Sequence, residues 1–79
     1  MNWANAIKVR LEKNGWRQSD LIAATTAADP EKNGITKGYL SELLSGKRAS
    51  PQVHVLIKIA HGFGIKFWTL AKEAENEPL

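Results

Sequence analysis

The residues of this chain that could do chemistry are few, and most stand alone. His54 and His61 are seven residues apart. On a helix that spacing separates them by about 10 Å along the axis, too far to share one metal ion readily. Gly46-Lys47 has the last two residues of a phosphate-binding loop, but Ser41 occupies the upstream glycine position, and Arg48 stands where Ser or Thr must hold magnesium. Gly62-Phe63-Gly64 lacks the third glycine of a dinucleotide loop, because Phe67 lies at that spacing. Glu12 and Asp20 are single carboxylates on amphipathic stretches and are expected to be solvated. With no cysteine, disulfides, cysteine zinc sites and thiol catalysis are excluded together. We expect no catalytic residue, no metal and no cofactor, and read the chain as a non-enzyme.

What remains is charge and its placement. The 79 residues hold 11 Lys+Arg and 8 Asp+Glu, a formal net charge of +3. Residues 71–79 carry Lys72 against Glu73, Glu75 and Glu77, so the first 70 residues hold 10 basic and 5 acidic side chains. A basic body at +5 with an acidic end at −2 points to a polyanionic partner. No small-molecule ligand is implied. The N-terminus has no basic segment followed by an apolar run, and no window approaches the ~20 apolar residues that span a bilayer. A cytoplasmic domain that contacts no membrane is expected.

The elements that must position these charges read as helices. The length permits one small domain, and 43% hydrophobic residues are enough for a modest core. A first helix is expected from about Trp3 to Asn14, capped by Asn2 and stopped by Gly15, with Trp3, Ile7 and Leu11 on one face. A second begins at Arg17 or Gln18, turns Leu21, Ile22, Ala24 and Thr25 inward, and fades near Ala28 before Asp29-Pro30. Residues 29–34 form a loop in which Asn33-Gly34 is a turn dipeptide and Asp29-Pro30-Glu31 can start one helical turn. Thr36 caps a third helix, with Ile35 and Leu40 as a hydrophobic staple and Gly46 as its stop. Leu40, Leu43 and Leu44 face inward, leaving Lys37, Gly38, Ser41, Glu42 and Ser45 outward. Ser50-Pro51 is expected to open a fourth helix that buries Val53, Leu56, Ile57, Ala60 and Phe63 and ends at Gly62 or Gly64. A fifth runs from about Phe67 to Ala74. Five short helices make an all-α bundle. Residues 1–72 are taken as the domain and residues 73–79 as a polar acidic tail.

The order Gln18-Ser19-Asp20-Leu21-Ile22, then the run from Gly34 through Thr36-Lys37-Gly38-Tyr39-Leu40-Ser41-Glu42-Leu43-Leu44-Ser45-Gly46-Lys47-Arg48 to Ser50-Pro51, resembles the helix-turn-helix family of phage lambda repressor and Cro, also called the XRE family. The likeness extends through Leu56-Ile57-Lys58-Ile59-Ala60 and Phe63-Gly64-Ile65, covering the chain from about Ile7 to Leu70. The resemblance implies a transcription regulator, a small repressor from a phage or mobile element, that binds double-stranded DNA and is nucleoid-associated. Its third helix would enter the major groove, with Lys37, Gly38, Ser41 and Glu42 at the base edges. Lys37 can donate to guanine, Gly38 allows close approach, Ser41 can donate or accept, and Glu42 can accept from cytosine. Arg17, Gln18, Ser19, Thr36, Tyr39, Lys47 and Arg48 would contact phosphates or sugars. Each has a plainer alternative: the cations as a solvated surface, Glu42 in a salt bridge, Tyr39 packed on the protein. The family commonly dimerises, which implies a homodimer on a palindromic operator with half-sites about 34 Å apart. Ile65, Phe67, Trp68 and Leu70 would form the dimer patch, or else close the core.

Two features depart from the family. Its second and third helices are joined by 3–4 residues, whereas the stretch from Ile22 to Gly34 here is longer by about eight. The enlarged loop, residues 25–34, leaves open a protein-interaction module on the same fold, an antitoxin or a phage regulator acting through a protein partner. Charge-driven, non-specific nucleic-acid binding is a third alternative. Arg17 also stands where Ser or Thr would cap the second helix, and Lys66 likewise for the fifth; a missing cap costs about 1 kcal/mol.

Overall fold

The computed structural model describes residues 1–48 and 50–77. Among these residues five helices follow in order: α1 Trp3–Asn14, α2 Gln18–Ala28, α3 Lys37–Leu44, α4 Val53–Gly62 and α5 Phe67–Asn76. No strand occurs among the described residues, and no helix is long and apolar enough to cross a membrane. The fold is an all-α bundle with a radius of gyration of 11.3 Å. Its core joins Ala6, Ile7 and Leu11 of α1, Leu21 of α2, Leu40, Leu43 and Leu44 of α3, Val55, Ile59 and Ala60 of α4, and Leu70 and Ala74 of α5. The most extensive packing is α2 on α4, followed by α1 on α5.

The start signals expected for α1 and α3 are present. Asn2 Oδ1 accepts the Asn5 N–H at 3.0 Å, and Thr36 Oγ1 accepts the Tyr39 N–H at 3.1 Å. Ile35 and Leu40, the expected staple, both lie in the core. Trp16 stacks on Phe63 with ring centroids 5.7 Å apart, and Trp3 on Phe67 at 5.9 Å. These two tryptophans therefore seal the edges of the core.

Helix α4 differs from expectation at its start and in its phase. It opens at Val53 with Gln52 as the cap residue, so Pro51 precedes the helix instead of beginning it. The Gln52 N–H is taken by the Tyr39 hydroxyl at 2.9 Å, which holds the chain extended there. The buried stripe is Val55, Leu56, Ile59 and Ala60, while Val53 is 59% exposed. His54, Lys58 and His61 recur at helical spacing and mark the polar side of α4; Val53 flanks that side and does not face the core.

The carboxyl end is also more structured than a tail. Helix α5 continues to Asn76, with Ala74 buried. The Ala74 carbonyl accepts the Asn2 N–H at 2.9 Å. Glu73 pairs with Arg10 through both carboxylate oxygens, at 2.8 and 2.5 Å, and Glu77 accepts from the Asn5 amide. Two of the three acidic residues expected in a tail, Glu73 and Glu77, thus tie this end to α1, whereas residues 78 and 79 lie outside the described residues.

The long connection between α2 and α3 combines an extended α2 with an eight-residue link, residues 29–36. Its tight turn is Asp29-Pro30-Glu31-Lys32, closed by the Lys32 N–H to the Asp29 carbonyl at 3.0 Å. Lys32 takes the left-handed conformation with φ of 60°, so the turn is not centred on Asn33-Gly34 as expected. Asp29 Oδ2 accepts the N–H groups of Glu31 and Asn33. Gly34 lies against α2, where an added Cβ would be 2.2 Å from Thr26 Oγ1 and 2.7 Å from the Thr26 backbone nitrogen. Thr25 Oγ1 accepts the Ile35 N–H at 3.2 Å, and Lys58 Nζ donates to the Asn33 carbonyl at 2.8 Å. The link is thereby fixed at both α2 and α4.

Candidate nucleic-acid interface

Helix α3 presents the surface singled out by its sequence. Leu40, Leu43 and Leu44 are buried, and Lys37, Gly38, Ser41, Glu42 and Ser45 are exposed. At eight residues the helix is about 12 Å long. Its apolar stripe holds it to the core and leaves its polar side exposed. Thr36 is exposed, and its oxygen already serves as the helix cap.

Three expected contact residues come together on this side. The Arg48 guanidinium lies over the Tyr39 ring, 4.1 Å from its centroid. Arg48 Nε is 2.9 Å from Glu42 Oε2. Tyr39 is half-buried, and its hydroxyl is occupied by the Gln52 N–H. Tyr39 therefore supports Arg48 and the start of α4, which realises the protein-packing alternative for its ring. Glu42 likewise realises its salt-bridge alternative. Both partners are well exposed, so the pair contributes at most about 1 kcal/mol to stability. Its consequence is geometric: it lays Arg48 along α3. Lys47 is exposed, and its backbone N–H closes the end of α3 on the Glu42 carbonyl at 3.0 Å.

Arg17, Gln18 and Ser19 form a separate exposed group at the start of α2. Arg17 has no acceptor in its side chain and cannot cap the helix. Asp20 supplies the returning half of a capping box instead, accepting the Arg17 N–H at 2.8 Å. Asp20 was expected to be merely solvated. Its position three residues into a helix that lacks an acceptor at the cap was the available signal for this role. A carboxylate here uses part of the favourable field that a phosphate would otherwise meet.

The expected dimer patch divides. Trp68 is 66% exposed, with Lys66 Nζ 4.8 Å from its ring centroid. Ile65 and Phe67 are half-buried, and Phe67 stacks on Trp3. Leu70 is fully buried and is withdrawn from the patch, because α5 turns it into the core with Ala74. Gln52 and Arg10 were not singled out beforehand, and Asp20 and Glu73 were read only as a solvated carboxylate and as part of an acidic tail. Glu73 is held below its usual range mainly by its hydrogen bonds to Arg10, against a smaller opposing effect of burial. His54 and His61 are both exposed.

Among the described residues the fold is a small five-helix domain in which α3 has a polar, exposed side that includes Lys37. Comparison with protein-family models, curated proteins and solved structures finds no match.

Proposed function

We propose that the protein is a sequence-specific, double-stranded DNA-binding transcriptional regulator that reads the major groove with α3. The observation that carries this reading is the composition of the exposed side of α3. Lys37, Gly38, Ser41 and Glu42 are all accessible on a helix whose other side is locked into the core by three leucines. A helix so mounted fits a groove about 12 Å wide, and its side chains supply both donors and acceptors for base edges. Lys47 stands at the end of this helix and Arg17 beside the start of α2, both suited to phosphates. The resemblance to the lambda repressor and Cro family supports the same assignment and adds a phage or mobile-element repressor, a nucleoid location and a homodimer on a palindromic operator. With Leu70 in the core, the dimer contact would rest on Trp68, Ile65 and Phe67.

A second reading, recognition of a protein partner, is favoured by the ordered link at residues 29–36, which Thr25 and Lys58 hold in one conformation. Selection from random duplexes separates the two. A defined motif that persists at physiological salt supports the DNA reading, whereas no duplex binding at any salt favours the protein partner. Binding without a motif, lost uniformly as salt rises, marks charge-driven association.

A further inference from the structure

We infer that Arg48 is a guanine-reading residue positioned by Glu42 and Tyr39, not a loose phosphate contact; the inference rests on the duplex-reading role of α3 proposed above. Arg48 follows the end of α3, yet its side chain turns back along that helix. Gly46 makes the reversal, with φ of 83°, a conformation that suits glycine and strains other residues. The guanidinium then rests on the Tyr39 ring, and the ring is anchored by the Gln52 N–H.

The atoms engaged decide what Arg48 can still do. Its guanidinium is ion-paired with the Glu42 carboxylate, with Nε the atom nearest to it at 2.9 Å from Oε2, and no side-chain hydrogen bond from Arg48 is found among the described residues, so its Nη1–Nη2 edge is available. That edge carries parallel donors in the geometry of guanine O6 and N7. The carboxylate also cancels most of the local charge, so a phosphate gains little here and is repelled by Glu42. A neutral base edge, whose acceptors carry only partial charge, is repelled less than a phosphate. Stacking and pairing restrict the arginine rotamers before any ligand arrives, which reduces the entropy lost on binding. Glu42 is then a positioning residue that acts through Arg48, and no cytosine contact is required of it.

The test is random-duplex selection run in parallel with the wild-type chain, R48K and E42Q, with helical circular dichroism recorded for each. Both side chains are exposed, so the variants should fold. R48K preserves the charge and loses the planar fork. The wild-type motif should contain one guanine whose preference falls about 5- to 150-fold in R48K, the equivalent of losing one bidentate pair. E42Q should relax that same position and leave the others intact. Uniform weakening of all duplexes by R48K would make Arg48 a phosphate contact and overturn the inference. Relaxation of a separate cytosine by E42Q would make Glu42 the reader and overturn it too. A wild-type motif indifferent to both substitutions refutes this inference alone, whereas no wild-type motif refutes it together with the reading of α3.

Discussion

Thr25→Val should destabilise the protein through one hydrogen bond at nearly constant volume. Thr25 is 1% exposed, the one buried polar side chain among the described residues. Its hydroxyl donates to the Ile22 carbonyl at 2.7 Å and accepts the Ile35 N–H at 3.2 Å. The Ile22 carbonyl keeps a second hydroxyl partner, Thr26, at 3.0 Å. The Ile35 N–H has no replacement in a site where Ile35 is 7% exposed. An orphaned buried donor costs about 1–3 kcal/mol, and the added methyl returns part of that through the hydrophobic effect. A net loss of about 1–2 kcal/mol lowers Tm by about 4–8 °C per kcal/mol in a domain of this size. Thr25→Ser keeps the hydroxyl and removes a methyl facing Gly62, costing about 1 kcal/mol. Urea unfolding followed by circular dichroism measures both, with an unchanged slope securing the comparison. Ile35 immediately precedes the cap of α3, so Thr25→Val should also speed hydrogen exchange at the start of that helix. The reasoning fails if Thr25→Val matches wild type and Thr25→Ser is the more damaging, since methyl packing would then hold the link.

Gly34→Ala should cost about 1–3 kcal/mol in the same assay, because its Cβ would overlap Thr26 backbone as well as side chain; a neutral result would mean the link moves freely off α2. Glu73→Gln tests the tie between α1 and α5. Because the folded carboxyl is held below its usual range, the wild-type advantage should be complete at neutral pH and vanish as pH falls below about 4. Parallel stability curves for the two proteins across that interval would contradict the assignment. Arg17→Thr should stabilise α2 by about 0.5–1 kcal/mol through a real side-chain cap and weaken duplex binding; unchanged affinity would remove Arg17 from the proposed interface.

Much of this architecture was legible where side-chain chemistry acts locally. Asn2 and Thr36 each have an oxygen that satisfies an amide three residues on, and that geometry needs nothing from the rest of the chain. The leucines of α3 recur at helical spacing beside polar neighbours, so its buried and exposed sides could be read directly. Helix α4 carries the same contrast through His54, Lys58 and His61, with Val53 at the margin of its apolar side, whereas the Tyr39 hydroxyl that meets the Gln52 N–H just before the helix is a distant partner that no local pattern announces. The Arg10–Glu73 tie joins residues 63 positions apart, and no local pattern announces it. The same holds for Arg48, whose place depends on a reversal at Gly46 and a ring one helix earlier. The charges of the candidate interface were visible in the sequence, but their pairing was not.

Sequence-specific binding requires that the exposed side of α3 distinguish one duplex from another. The most direct measurement is the affinity of the wild-type chain and of Lys37→Ala for a selected duplex and a scrambled one, across a salt series. The wild-type chain should favour the selected duplex by about 10³-fold or more at physiological salt. Lys37→Ala should lose about 1–3 kcal/mol on that duplex and relax a single base position. Equal affinities of the wild-type chain for both duplexes, falling in parallel as salt rises, would contradict the account.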